Sequence, residues 1–155
     1  MTRAELNQLS ILALAHVGDA VYELFVRSYL AGHGQTKVTD LHRATVAMVK
    51  AGAQARAAAV ILPLLTEDER TVYKRGRNSH VNSVPRGATM AEYHAATALE
   101  AVFGWLYLGG EADRARELFN EILRAGRTEA AGPYAQTALH EQGLFAYVRR
   151  KLEHV

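Results

Sequence analysis

Residues 9–26, LSILALAHVGDAVYELFV, decide the fold. Their apolar side chains recur at helical spacing, Ser10 is a good N-cap, and no stop occurs before Gly32 to Gly34. One long, largely apolar helix is predicted, and Asp19 lies inside it. A second stretch, AATALEAVFGWLYL at 95–108, repeats the arrangement around Glu100. An ionised carboxylate in a core-forming segment is costly unless it is paired or coordinates a cation. Two such helices therefore predict that Asp19 and Glu100 meet around a divalent ion. The plainer alternative puts each acid on the exposed edge of its helix, or beside a nearby Arg.

Outward from these stretches the periodicity stays helical, with no convincing alternating strand, so the expected fold class is all-α. A helix or helix pair is expected from Thr39 to about Leu62, bent near Gly52 and closed before Pro63. Thr66 and Glu69 form a capping box that opens a helix running out at Gly76. The segment RNSHVNSVPRGA, 77–88, reads as a loop with Pro85 and Gly87 as breakers. Thr89 and Glu92 form a second capping box, and the helix they open stops at Gly109 and Gly110. Residues 111–125 are amphipathic, with Leu118, Phe119 and Ile122 on one face, and a last helix is expected over 134–152.

At 155 residues the chain is the size of one domain with a sizeable core. It contains no cysteine, which excludes disulfides and thiolate metal sites. Neither a signal-peptide pattern nor an uncharged apolar run of about 18 residues is present, so a soluble cytoplasmic protein is expected. The net charge of +2 is too small to demand a polyanionic partner, but its distribution is uneven. No acid falls between Glu69 and Glu92, whereas Arg70, Lys74, Arg75, Arg77 and Arg86 do; 41–66 is also free of acid and carries Arg43, Lys50 and Arg56.

On the first helix His16, Asp19, Glu23 and Arg27 share one stripe, while Ile11, Leu14, Val17, Val21, Leu24 and Phe25 occupy the other faces. On the later helix Tyr93, Thr97 and Glu100 share a face, within a surround of Val102, Phe103, Leu106 and Leu108. Two facing stripes would line a cleft. Carboxylate oxygens suit Mg²⁺ or Mn²⁺, which bind through a few acids plus substrate phosphate and can activate water against a phosphodiester. His16 reads as a surface or dimer-contact residue rather than a ligand, because hard cations favour oxygen. Glu23 is expected to support the site or pair with Arg27. No activated Ser or Cys and no phosphate-binding glycine motif is evident.

The segments GDAVYELFVRSYL and TALEAVFGWLYL resemble the two acidic helices of the ribonuclease III catalytic domain. With LAHVGDAVYE, the RGRN at 75–78 and YHAATALEA, the chain looks specifically like the Mini-ribonuclease III family, a catalytic domain without a double-stranded-RNA-binding domain. The resemblance covers roughly residues 7–125. In larger ribonuclease III enzymes a Glu stands four residues before the Asp and an Asp three before the Glu; here those positions are Ala15 and Thr97. The smaller family shares this reduction to two carboxylates.

The resemblance implies a ribonuclease III-like helical bundle over 1–126, with a C-terminal helical extension over 127–155. It further implies a homodimeric, Mg²⁺-dependent endoribonuclease, with Mn²⁺ as a substitute. Such an enzyme cuts both strands of double-stranded RNA to leave 5′-phosphate ends, and matures the 23S ribosomal RNA precursor. Asp19 and Glu100 would be the catalytic metal ligands, with Glu23 and Thr97 in support. Lys74, Arg75, Arg77, Asn78 and Arg86 would face the RNA, where cations neutralise phosphates and polar groups meet 2′-hydroxyls. Two rivals stand beside this reading: a non-catalytic RNA-binding module of the same fold, and a small helical DNA-binding regulator.

Overall fold

The computed structural model describes residues 1–33, 37–79 and 87–130. Their regular elements are α1 (Arg3–Gln8), α2 (Ile11–Gly32), α3 (Val38–Val49), α4 (Ala51–Ile61), a 3₁₀ turn (Leu62–Leu64), α5 (Glu67–Arg77), α6 (Met90–Leu108) and α7 (Ala112–Ala130). No strand occurs among the described residues. The fold is all-α, as expected.

α6 is the central helix. Its residues from Ala96 to Leu99 and from Ala101 to Leu106 are buried on every side, as a helix apolar all round should be. α2, α4 and α5 pack around it. Tyr22 and Phe25 of α2 meet Phe103 of α6 and Phe119 of α7 in an aromatic cluster, the Tyr22–Phe103 pair edge-to-face at 5.3 Å.

Capping defines where several helices begin. Ser10 Oγ accepts the Ala13 amide at 3.1 Å, and the expected boxes Thr66/Glu69 and Thr89/Glu92 are both formed. A third box, Thr2/Glu5, opens the short α1, an element beyond those predicted above although it carries the same T-x-x-E signal. α1 buries Leu6, and its Arg3 guanidinium lies 3.8 Å from the Trp105 ring centroid.

The interruption expected near Gly52 falls at Lys50, whose extended backbone ends α3 and starts α4. Gly52 is helical there, and a Cβ on it would stand 2.9 Å from Glu92 Oε1. α5 continues past Gly76 to Arg77, because Gly76 serves close packing on α6 and not termination. Leu24, assigned to an apolar face of α2, is 55% exposed. α7 passes unbroken through residue 126, and the helix expected over 134–152 lies outside the described residues.

α5 and α7 are tied by an ion pair that is buried at Glu69 and partly exposed at Arg114. Arg114 donates from Nε to Glu69 Oε1 at 2.9 Å and from Nη2 to Oε2 at 3.1 Å, and also to the Leu64 carbonyl at 2.9 Å. Burial raises the Glu69 proton affinity, but the bonds from Arg114 and Thr66 outweigh it and hold the carboxyl below its usual range. No single helix among the described residues is long and apolar enough to cross a membrane.

Candidate metal centre and nucleic-acid interface

α2 and α6 cross at two glycines. A Cβ on Gly18 would stand 2.8 Å from the Gly104 amide nitrogen and nearer still to the Glu100 carbonyl. On Gly104 it would stand 2.9 Å from the Gly18 amide nitrogen and nearer still to the Leu14 carbonyl. Only residues without a Cβ let the two backbones touch here. Asp19 follows Gly18 directly in the chain, so the crossing brings it to the Glu100 level of α6.

The electrostatics record that proximity. Burial, then the Asp19 charge, push the Glu100 carboxyl up to about 8, while the Gln54 side chain opposes the shift. Asp19 is raised as well, first by burial, then by Glu23, with His16 opposing. Asp19 as a residue is open to solvent, so its rise reflects partial enclosure of the carboxyl and not a core position. Neither acid makes an ion pair among the described residues, so the alternative of a nearby Arg partner finds no support there.

The Asp19 charge disfavours ionisation of Glu100, and an oxygen-seeking divalent ion held by the two would relieve this. The donor set fits Mg²⁺ or Mn²⁺. No group of three or more His, Asp or Glu converges among the described residues. Such an ion would rest on two carboxylates, with substrate and solvent oxygens completing its shell.

Gln54 of α4 was missed by the sequence reading. It is 2% exposed, and its Nε2 favours the ionised form of Glu100 without reaching hydrogen-bond geometry to a partner among the described residues. The available signal was one amide within AGAQARAAA, a run of otherwise small residues interrupted only by Arg56. Of the supporting residues expected, Glu23 accepts from Arg27 Nε at 2.7 Å, and its charge reaches Asp19. Thr97 is buried, and its hydroxyl donates to the Tyr93 carbonyl of its own helix at 3.1 Å. His16 is exposed and Tyr93 half-buried.

Lys74, Arg75, Arg77 and Asn78 are exposed at the C-terminal end of α5, with Asn78 as its C-cap. A Cβ on Gly76 would stand 2.8 Å from Ala98 Cα and 3.1 Å from the Thr97 carbonyl, so this basic end is lodged within one turn of Glu100 along α6. Arg86, with His80, Asn82 and Ser83, lies outside the described residues.

Residues 12–111 match the Ribonuclease III domain family. The chain belongs to the ribonuclease III family. The match spans α2 to α6, including both acids and the basic end of α5. Within this family the chain is similar to curated proteins named Mini-ribonuclease 3. The protein of Symbiobacterium thermophilum is 47% identical, over 74% of this chain and 85% of the relative. That of Enterococcus faecalis is 42% identical, over 76% and 91%. A crystal structure of a Fusobacterium nucleatum protein superimposes with a TM-score of 0.70 at 33% identity, covering 76% of this chain and 95% of that one. Membership of the Mini-ribonuclease 3 branch makes the chain an endoribonuclease.

Proposed function

We propose that this endoribonuclease is divalent-cation-dependent, cleaves double-stranded RNA and matures the 23S ribosomal RNA precursor in the cytoplasm. The observation that carries the reading is the Asp19–Glu100 pair at the Gly18–Gly104 crossing, two raised carboxylates with no ion-pair partner among the described residues. In this reading residues 1–126 are the catalytic unit and 127–155 an extension. Asp19 and Glu100 hold Mg²⁺, or Mn²⁺ in its place, while Glu23, Thr97 and Gln54 support them. When bound, the ion supplies Lewis acidity toward a phosphodiester oxygen and lowers the pKa of water.

The chain's own residues do the rest. Lys74, Arg75, Arg77 and Arg86 neutralise backbone phosphates, and Asn78 offers an amide to a 2′-hydroxyl. One acid pair per chain serves one strand, so a homodimer supplies the two centres a duplex needs and leaves 5′-phosphate and 3′-hydroxyl ends. Incubation of the full chain with duplex RNA, with and without Mg²⁺, tests the proposal. Metal-dependent cuts in both strands are expected; intact duplex at saturating metal would favour the non-catalytic RNA-binding module instead.

A further inference from the structure

A cleft of about 700 Å³ lies between the start of α2 and the end of α5. Ile11 and Leu12 line it from α2; Lys74, Arg75 and Ser79 line it from α5 and the residues just beyond. No acid is among its lining residues.

Two independent features border it. α2 is 22 residues long, and Ser10 satisfies only the Ala13 amide with its side chain. The Ile11 and Leu12 amides, in the first turn, have no acceptor within their own helix, and the helix dipole places partial positive charge there. Separately, Ser79 is 9% exposed, and its Oγ has no hydrogen-bond partner among the described residues. A buried hydroxyl left unsatisfied is costly, so a ligand that accepts its proton would be favoured. Lys74 and Arg75 add charge and form no ion pair among the described residues, although Arg75 Nη2 also donates to the Leu9 carbonyl at 3.4 Å. Basic residues at a helix C-terminus commonly complement its dipole. That accounts for the two cations but leaves Ser79 and the α2 amides unexplained.

Main-chain amides at a helix start, a hydroxyl and two cations together make a receptor for a tetrahedral oxyanion. Leu12 and Asp19 are seven residues apart, two turns along one stripe of α2, or about 10 Å. The cleft therefore opens on the face that carries the candidate metal centre.

We propose that this cleft is a phosphate-binding site, and that it holds a phosphodiester group of the RNA strand while the Asp19–Glu100 pair engages a phosphodiester two helical turns away. The choice of RNA as the source rests on the function proposed above; the phosphate chemistry does not.

The test is amide NMR of the metal-free full chain, titrated with inorganic phosphate against chloride at equal ionic strength, and separately with duplex RNA. Both phosphate and RNA should move the Ile11, Leu12 and Ser79 amides. Ser79→Ala removes a buried hydroxyl with no partner among the described residues, so it should not lower the thermal midpoint, and it should weaken duplex binding about tenfold. If phosphate moves these amides no more than chloride does, the cleft is not a phosphate site, whatever RNA does elsewhere. If phosphate moves them and RNA moves only others, the cleft takes a free phosphate anion and the RNA assignment is overturned. If RNA moves no amide at all, the RNA reading itself has failed, and the phosphate arm still decides the cleft.

Discussion

Gly18 and Glu100 meet backbone to backbone: a side chain on the glycine would occupy the space of the Glu100 carbonyl. This contact makes the glycine of the Gly-Asp pair a positioning element for the acid that follows it. Gly104 mirrors it against Leu14 one turn away.

Gly18→Ala should therefore be among the most damaging small substitutions in the chain. Overpacking usually costs about 1–3 kcal/mol, and here the obstruction is backbone that cannot change rotamer. A loss of at least about 3 kcal/mol is expected in chemical denaturation, with loss of metal-dependent cleavage in whatever fraction stays folded. An unchanged midpoint would mean that the two helices can separate freely.

Metal binding should depend on pH through Glu100. Its folded value is about 8 against an ordinary 4.5, so between those values the metal-free folded chain holds a proton that the unfolded chain has lost. Stability from this group is thus present at low pH and falls as pH rises through that window. A cation needs the ionised form, so its binding releases a proton and its affinity rises with pH up to about 8. Calorimetry in two buffers of different ionisation enthalpy would detect the proton; its absence at pH 6 to 7 would argue against Glu100 as a ligand.

The Glu69–Arg114 pair predicts the opposite slope at acid pH. Glu69 is held below its ordinary 4.5, so its contribution is present above that value and lost as pH falls through the lower folded value. Arg114→Ala leaves the buried Glu69 carboxylate with only its Thr66 bonds and should cost about 3 kcal/mol near neutrality. The variant should also lose the Glu69 part of the acid-pH slope, measurable as denaturation midpoints from pH 7 to 3.

Replacing Arg75 and Arg77 with Ala should weaken duplex RNA binding and flatten its salt dependence by about one unit of log–log slope per lost phosphate contact. Both side chains are exposed, so stability should change by no more than about 0.5 kcal/mol. An unchanged salt slope would remove the end of α5 from the interface.

Much of this fold was legible because its signals are local. Ser10, Thr66 and Thr89 announce their helices by capping chemistry that depends on a few adjacent residues. What was misread depends on tertiary packing. Gly76 carries the composition of a helix breaker, yet it lies within α5, and the backbone of Ala98 and Thr97 stands where its Cβ would go. Asp19 and Glu100 stood out as charges in apolar runs, whereas Gln54, neutral and surrounded by alanines, gains meaning only when α4 is laid beside α6. The ion pair from Glu69 to Arg114 spans 45 residues, and no periodicity reveals such a partner.

Asp19 and Glu100 are expected to hold one divalent cation between them. Crystals of the full chain grown with Mn²⁺, with data collected at a wavelength where manganese scatters anomalously, decide whether they do. A single anomalous peak touching both carboxylates, and lost in Asp19→Asn crystals that keep the same fold, is the predicted result. A strong peak elsewhere with none at this pair, or an undiminished peak there in Asp19→Asn, would contradict it.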